Sequence, residues 1–420
     1  MRSRPHEIIN MRSARKSKDV EKVLALVPNV FGYSGDAVNE RQLLKSLCKG
    51  RRCLVISLLG ITKLLKLKRY LNELYEEGWP RDALLIPLPT LLLHDFFVLM
   101  TSMLVTPILW VLDGLMHFDL IYIRYSPLAL GPLSVRSLSR KACVKLPAIA
   151  EDEVMKGKRV ASLIHALTDR FALAKARAVC VPTPVLLKKI AARRGLLPRR
   201  VAITPPGISE QKIRAVKGTH TSDTSENRSG YTIGFVGLLA WWQGADVLVK
   251  AVAKLKDMLD KPVTLLIVGD GPERRKIEEL CKQLGVNCCI TGFVRHEEAL
   301  RYLMGFDVLV VPRIRTSTTE SNIPIKVIEA WALGVPVITT KHEVYEYMGL
   351  KDGKDIVYCD PDSNDLANKI LAVLKNEGLR KRLSERGSLL AKSFYYDDIA
   401  LRLLEALREP HNGLRATGLD

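Results

Sequence analysis

The sequence predicts an α/β protein built from two doubly wound, Rossmann-like parallel-sheet domains facing each other across a cleft. Three observations carry this. The chain has 420 residues, 47% of them hydrophobic, enough for two cores. Apolar runs of strand length alternate with amphipathic helical runs along most of it. A polar stretch at residues 216–230, VKGTHTSDTSENRSG, divides that alternation in two.

The first half opens on the strand KVLALVPNVF, the glycine-containing turn GYSGDAVNERQ and the amphipathic helix NERQLLKSLCKG. Strand, glycine turn and helix form the opening unit of a doubly wound sheet. CLVISLLG, ALLIPLPT, DLIYIRYS, ARAVCVPTP and RVAITPPG continue the strands, with DRFALAKARA and PVLLKKIAARRG as helices. Residues 96–112 carry no charge, contain Pro107 and are bounded by Asp95 and Asp113. The run is short for a spanning helix and leads straight into a strand. It therefore predicts a helix buried in the core rather than one that spans a membrane, with contact on one membrane face left open.

In the second half, YTIGFVG, VTLLIVGDG, NCCITGFV, FDVLVVPR, a strand ending GVPVITT and DIVYCD alternate with helices, and helices fill the rest to about Arg408. The expected organisation is a basic tail at 1–18, a first domain at 19–215, a linker at 216–230 and a second domain at 231–392. A C-terminal helix at 393–420 is then free to cross back to the first domain.

Charge is asymmetric. Residues 1–215 hold 36 Lys and Arg against 17 Asp and Glu, whereas residues 216–420 hold 28 of each, so the whole net charge of +19 sits in the first half. That points to a polyanionic partner for the first half alone, unless it is merely a soluble basic surface. An anionic membrane surface or a phosphorylated substrate fits. Nucleic acid is not expected, because no RNA-binding signature or basic patch interleaved with aromatics is present. The eight cysteines form no CxxC pair or zinc-like spacing and mostly lie in apolar runs, which favours a reducing, cytoplasmic setting. Residues 1–18 lack the apolar region of a secretory signal; they read as an exposed tail or an electrostatic membrane tether.

Three turns can carry chemistry. The turn at Gly269–Pro272 joins a strand to a helix, with Pro272 suited to the first helical turn, and is by itself common in α/β proteins. The turn GLLAWWQG runs from Gly237 to Gly244, and its paired Trp241 and Trp242 suit either stacking on a ring or packing of the loop. The stretch TTESNIPIKVIEAWALGVPVITT, Thr318–Thr340, is the most informative. Ser321 or Asn322 can cap a helix with Pro324 in its first turn, and Gly334 ends it. Lys326 and Glu329 share a face of that helix, and Glu320 precedes it. Two carboxylates suit a polyhydroxyl ligand, and a lysine near a helix N-terminus suits an anion, so sugar plus phosphate is one reading. An ordinary capped helix with a surface ion pair is the other.

Taken together, FVGLLAWWQGADVLVKAV, LLIVGDGPERRKIEEL, ITGFV, DVLVVPR and ESNIPIKVIEAWALGVPVI resemble, in order, the donor half of the GT-B glycosyltransferases. They are most similar to glycosyltransferase family 4 (group 1). The likeness is strong over about 231–393 and looser in the first half. It implies a nucleotide-sugar donor, UDP- or GDP-linked, in the second domain. Its acceptor would be a glycan or a lipid-linked sugar at the cytoplasmic membrane face. The reaction would retain anomeric configuration and need no metal or other cofactor. By the same resemblance Glu329 holds the ribose hydroxyls and Glu320 addresses the donor sugar. Gly292, Phe293 and Val294 border the base, and Gly35 approaches the diphosphate. Gly237, Gln243, Gly244, Gly271, Asn322, Ile323 and Pro324 line the donor site. The family usually places Arg and Lys where this chain has Leu238 and Gln243, so Arg313, Arg315 and Lys326 become the candidate cations. On the acceptor side the candidates are Glu151, Asp152 and Glu153. His165 stands nearest in position to a family histidine, with a core or helix-surface role as its alternative. A non-catalytic nucleotide-sugar binder and a GT-B epimerase remain the competing functions.

Overall fold

The structure is a computed structural model that describes residues 20–28, 30–31, 35–60, 65–90, 95–149, 159–218, 230–256 and 258–408. The chain forms two compact units. One holds the residues up to Gly207 and those from Tyr396 on; the other is Ile208–Tyr395.

The first unit runs β1 (Lys22–Val27), α1 (Gly35–Cys48), β2 (Arg52–Gly60), α2 (Leu67–Glu76), β3 (Ala83–Thr90), α3 (Asp95–Met116) and β4 (Leu120–Arg124). Two short helices, α4 (Leu130–Ser134) and α5 (Arg136–Ser139), precede β5 (Ala142–Lys145), α6 (Arg159–Lys175), β6 (Ala178–Val181), α7 (Pro184–Arg194) and β7 (Val201–Ile203). Among the described residues the sheet is parallel throughout, in the order β3-β2-β1-β4-β5-β6-β7. Strands covered on both faces must be apolar at every position. In β1, Val23, Ala25 and Val27 enter one core layer while Leu24 and Leu26 enter the other. β5 escaped the sequence reading: its four residues, ACVK, are too short to show a period.

The second unit runs α8 (Glu210–Gly218), β8 (Tyr231–Val236), α9 (Ala245–Leu255), β9 (Val263–Val268), α10 (Arg274–Gln283), β10 (Cys288–Ile290), α11 (His296–Met304) and β11 (Val308–Val311). It continues α12 (Ser317–Ser321), α13 (Ile325–Leu333), β12 (Val337–Thr340), α14 (Glu343–Tyr347), β13 (Val357–Cys359), α15 (Ser363–Lys375) and α16 (Glu377–Ala391). Its parallel order is β10-β9-β8-β11-β12-β13. The boundary placed at 215 from the sequence falls inside α8. The last helix, α17 (Tyr396–Arg408), belongs to the first unit. There Tyr396, Ile399, Leu403 and Leu407 join the core layer that holds Val23 and Ala25. Arg177 and Arg200 donate to the Leu407 carbonyl at 2.8 and 2.7 Å, cations at the negative end of that helix.

Each sheet reverses direction of strand addition beside its first strand, between β1 and β4 and between β8 and β11. In such sheets the crevice at the strands' C-terminal ends, at that reversal, is where ligands bind.

One expectation fails. The apolar run at 96–112 is helical, as α3, but it is not a core helix: about a third of its apolar stretch is buried. The buried side carries Val98, Ser102, Val105, Thr106, Leu109 and Asp113. Ser102 donates to the Leu128 carbonyl at 2.7 Å and accepts from the Gly131 N–H at 2.9 Å. Thr106 donates to the Ser102 carbonyl at 2.7 Å, and Asp113 pairs with Lys141 at 2.8 Å. The contact is tight because Gly131 lacks a side chain; a Cβ there would lie 2.2 Å from Thr106 Oγ1. Three polar residues thus turn inward beside three apolar ones, while most of the large apolar side chains face out.

Candidate active site

In the second unit the loops after β8 and β11 meet at the strand reversal. The first is Gly237–Gly244. Its Gly237 N–H donates to the Val268 carbonyl at 2.9 Å and its Leu239 N–H to the Asp270 carbonyl at 2.8 Å, which locks it to the turn after β9. Gly271 is required by that interlock, since a Cβ there would sit 2.4 Å from the Leu239 carbonyl oxygen. Pro272 precedes α10 rather than entering it, because the helix begins at Arg274. Trp241–Gln243 form a 3₁₀ turn closed by Gly244, whose φ of 73° and close approach to Pro312 O exclude a side chain.

The stretch Thr318–Thr340 forms two helices. α12 is capped by Thr316, whose hydroxyl accepts from the Thr319 N–H at 3.1 Å. The expected caps Ser321 and Asn322 instead lie at its end. Pro324 stands at the N-cap of α13, pre-set by its ring, and Gly334 closes that helix at φ 80°.

Lys326 and Glu329 are not a surface ion pair; both are buried. They reach different partners. Lys326 Nζ donates to Gln243 Oε1 at 3.1 Å, lies 4.8 Å from the Phe235 ring centre, and would be 2.7 Å from a Cβ on Gly237. Burial, and then the Arg313 guanidinium, pull its pKa down to about 7. Arg313 is itself buried and stacks over Trp242 at 5.1 Å. Trp242 therefore packs the loop and seats a cation, while Trp241 is exposed. Two buried cations thus adjoin the loop that carries Leu238 and Gln243.

Each site carboxylate has a histidine partner, and neither histidine stood out in the sequence. His296 Nε2 donates to Glu329 Oε1 at 2.6 Å. Burial opposes a charge on this ring, but Glu329 more than offsets it and raises the pKa above the usual value. His342 Nδ1 donates to Glu320 Oε1 at 3.2 Å, and the Glu343 N–H donates to Glu320 Oε2 at 2.7 Å. Arg315, on the surface, comes within 3.7 Å of the same carboxylate. Burial raises the Glu320 pKa, but these donors outweigh it and hold the carboxyl below its ordinary range. Burial also pulls the His342 pKa below its usual value although Glu320 opposes it, and its Nε2 is buried without a partner. His296 opens α11 and His342 is the N-cap of α14, so only the tertiary fold brings them to residues 329 and 320.

The remaining candidates scatter. Asn322 is extended, and Ile323 packs into the core. Gly292 adopts φ 74°, Phe293 is 82% exposed, and Val294 packs against the core. Gly35 is the first residue of α1, in the first unit. His165 is buried in α6, with Nδ1 3.0 Å from the Tyr125 hydroxyl, which matches its core alternative. Glu151, Asp152 and Glu153 lie outside the described residues. Among the described residues, no group of three or more His, Cys, Asp or Glu side chains is placed to hold a metal. The first unit has a polar cluster at its own strand ends that the sequence did not reveal. Glu40 on α1 is fully buried, held by Tyr122 at 2.6 Å, Lys145 at 3.1 Å and Arg124 at 3.4 Å.

The fold and this site define a class, a two-sheet α/β protein whose second unit gathers buried cations and carboxylates at its strand reversal. Residues 217–389 match the family model described as "Glycosyl transferases group 1". The lipopolysaccharide core biosynthesis glycosyltransferase LpsE of Rhizobium meliloti is 30% identical over 146 residues, 34% of this chain and 40% of that protein. The chain spans about two-fifths to half the length of the curated relatives it matches. Among solved structures, sucrose-phosphate synthase from Thermosynechococcus elongatus aligns at a TM-score of 0.67 and 18% identity, covering 92% of this chain and 98% of that one. Anabaena HepE in complex with UDP aligns at 0.66 and 15%, covering 92% and 99%. These likenesses establish the GT-B fold class.

Proposed function

We propose that the protein is a glycosyltransferase whose second unit binds a nucleotide-sugar. The observation that carries this is Lys326, a buried ammonium bonded to a neutral amide beside a second buried cation, Arg313. Burial and Arg313 depress the Lys326 pKa even though Glu329 opposes them, and a bound diphosphate would favour its charged form. Glu329 lies one helical turn further on. With Oε1 held by His296, it keeps Oε2 to accept from the ribose hydroxyls. Glu320 would accept from the donor sugar. Lys326 and Arg313 would stabilise the charge that grows on the leaving diphosphate, replacing the cations missing at Leu238 and Gln243. An acceptor hydroxyl would form the new bond to the anomeric carbon as its bond to the diphosphate breaks. The proton would pass to a phosphate oxygen, and configuration would be retained without a metal. The acceptor would be a glycan or lipid-linked sugar at the cytoplasmic face of a membrane, which the basic first half suits.

A thermal-shift panel of nucleotides and nucleotide-sugars tests the donor site: one base and one sugar should stabilise the protein, and Glu329→Ala should abolish the shift. Turnover in the presence of EDTA tests metal independence. Absence of any nucleotide shift would overturn the proposal. A shift without transfer to any acceptor would favour a non-catalytic binder, and conversion of the donor alone an epimerase.

A further inference from the structure

α3 is amphipathic in reverse. Its outward side carries Phe96, Met100, Met103, Leu104, Ile108 and Trp110, and continues through Val111 and Leu115; Leu104 is 75% exposed. Single exposed apolar residues need no explanation, but a row along a helix about 33 Å long does. α6, which packs beside α3, shows the same inversion. It buries His165, Thr168 and Asp169 and exposes Val160, Leu163, Leu167 and Phe171, one stripe at spacings of three and four. Both helices line the same core layer, so both stripes point away from the same face of the sheet.

Charge narrows the occupant. Of the carboxylates on α3 and α6 with described side chains, Asp113 is held by Lys141 and Asp169 by Arg194 at 2.7 Å, and both are buried. Among the described charged side chains of α3, α5 and α6, those left exposed are cationic: Arg170 and Lys175 on α6, and Arg136 and Arg140 on α5, which packs against α3. An uncharged apolar strip whose exposed charged neighbours on these helices are, among the described residues, all cations complements a bilayer with anionic headgroups. We propose that the outward faces of α3 and α6 form a membrane-docking surface. They lie in the plane of an anionic leaflet, with the apolar rows in the acyl boundary and the arginines on the headgroups. α3 joins two strands of one sheet, so it lies along the leaflet rather than crossing it. This proposal does not depend on the reaction.

The test is flotation of the full chain with phosphatidylcholine vesicles, with and without phosphatidylglycerol. Wild type should bind the anionic vesicles, and part of that binding should survive salt on the order of 0.5 M, where surface electrostatics are screened. Leu104→Asp with Ile108→Asp should weaken binding about tenfold or more, because a charge at the acyl boundary is expensive. Its melting temperature should not fall, since both residues are exposed. Brominated lipids should quench tryptophan emission, and Trp110→Phe should remove most of that quenching. Binding that disappears completely at high salt, or that the double variant retains, would overturn the proposal in favour of a purely electrostatic tether. A wild-type dimer that ignores vesicles and that the double variant dissociates would overturn it in favour of a second copy of this chain.

Discussion

α3 of the first unit and α13 of the second are both rich in apolar residues, yet the fold uses them in opposite ways. α13, IKVIEAWAL, is buried almost all round. Its two charged residues are inside because each has a partner that only the fold provides, Gln243 for Lys326 and His296 for Glu329. α3 buries Ser102, Thr106 and Asp113 together with Val98, Val105 and Leu109, and leaves most of its large apolar side chains outside. Mean hydropathy cannot separate the two cases. What separates them is where the polar minority points. In α13 it points into the candidate site. In α3 it points into a helix contact, satisfied by Leu128, Gly131 and Lys141, which frees the apolar side for another solvent.

The largest effect expected from disturbing this contrast is at Lys326. Lys326→Met keeps the volume and removes the charge. Turnover should fall about 100- to 1000-fold, as when one transition-state donor is lost. The melting temperature near pH 6 should stay level or rise, because a buried ammonium is removed. Parallel losses of turnover and thermal stability would instead make Lys326 structural. The pH dependence follows from the same group. Its pKa of about 7 in the folded state lies below the ~10.4 of an unfolded lysine. The unfolded state therefore binds more protons between those values, and the lysine's penalty fades as pH rises through that window. The stability advantage of Lys326→Met should shrink from pH 6 to pH 10. Affinity for a nucleotide-sugar should move the other way, weakening by up to about tenfold per unit above pH 7 in wild type and staying flat in the variant. Calorimetric titration across that range checks both the slope and its loss.

His296→Ala ranks next. It leaves Glu329 buried without its charge-assisted hydrogen bond, a loss of about 1.5–3 kcal/mol. If His296 only orients Glu329, the loss should appear mainly in KM for the donor, with kcat nearly unchanged. His296→Asn, which can still donate from a similar position, should recover part of it. A loss confined to kcat would place His296 in the chemistry itself.

Much of this contrast was readable in the sequence, but not its direction. Period and turn residues revealed both sheets, because a strand covered on two faces must be apolar throughout and its turns need glycine. They also marked the stretch with Glu320, Lys326 and Glu329. They did not reveal His296 or His342, which lie 33 and 22 residues from the carboxylates they touch. Pattern reading is local, and those contacts are made by loops at the ends of parallel strands. The same limit misled the reading of α3. An uncharged run next to a strand looks like core, and only the partners of Ser102, Thr106 and Asp113 show that its polar side faces in.

The smallest expected effect is the most direct check on that inversion. Leu104→Gln should change folding stability by no more than about 0.5 kcal/mol, the range for a surface position. Ile328→Ala, at a fully buried position of α13, should cost about 2–5 kcal/mol, because it opens a cavity. Urea unfolding of both variants under one set of conditions decides the matter. Two-domain chains can unfold in steps, so each variant must be read from the transition of its own unit. A Leu104→Gln cost near that of Ile328→Ala would mean that the outward side of α3 is covered by protein in solution. The reversed amphipathicity would then belong to an interface within the folded assembly, not to a surface held open for lipid.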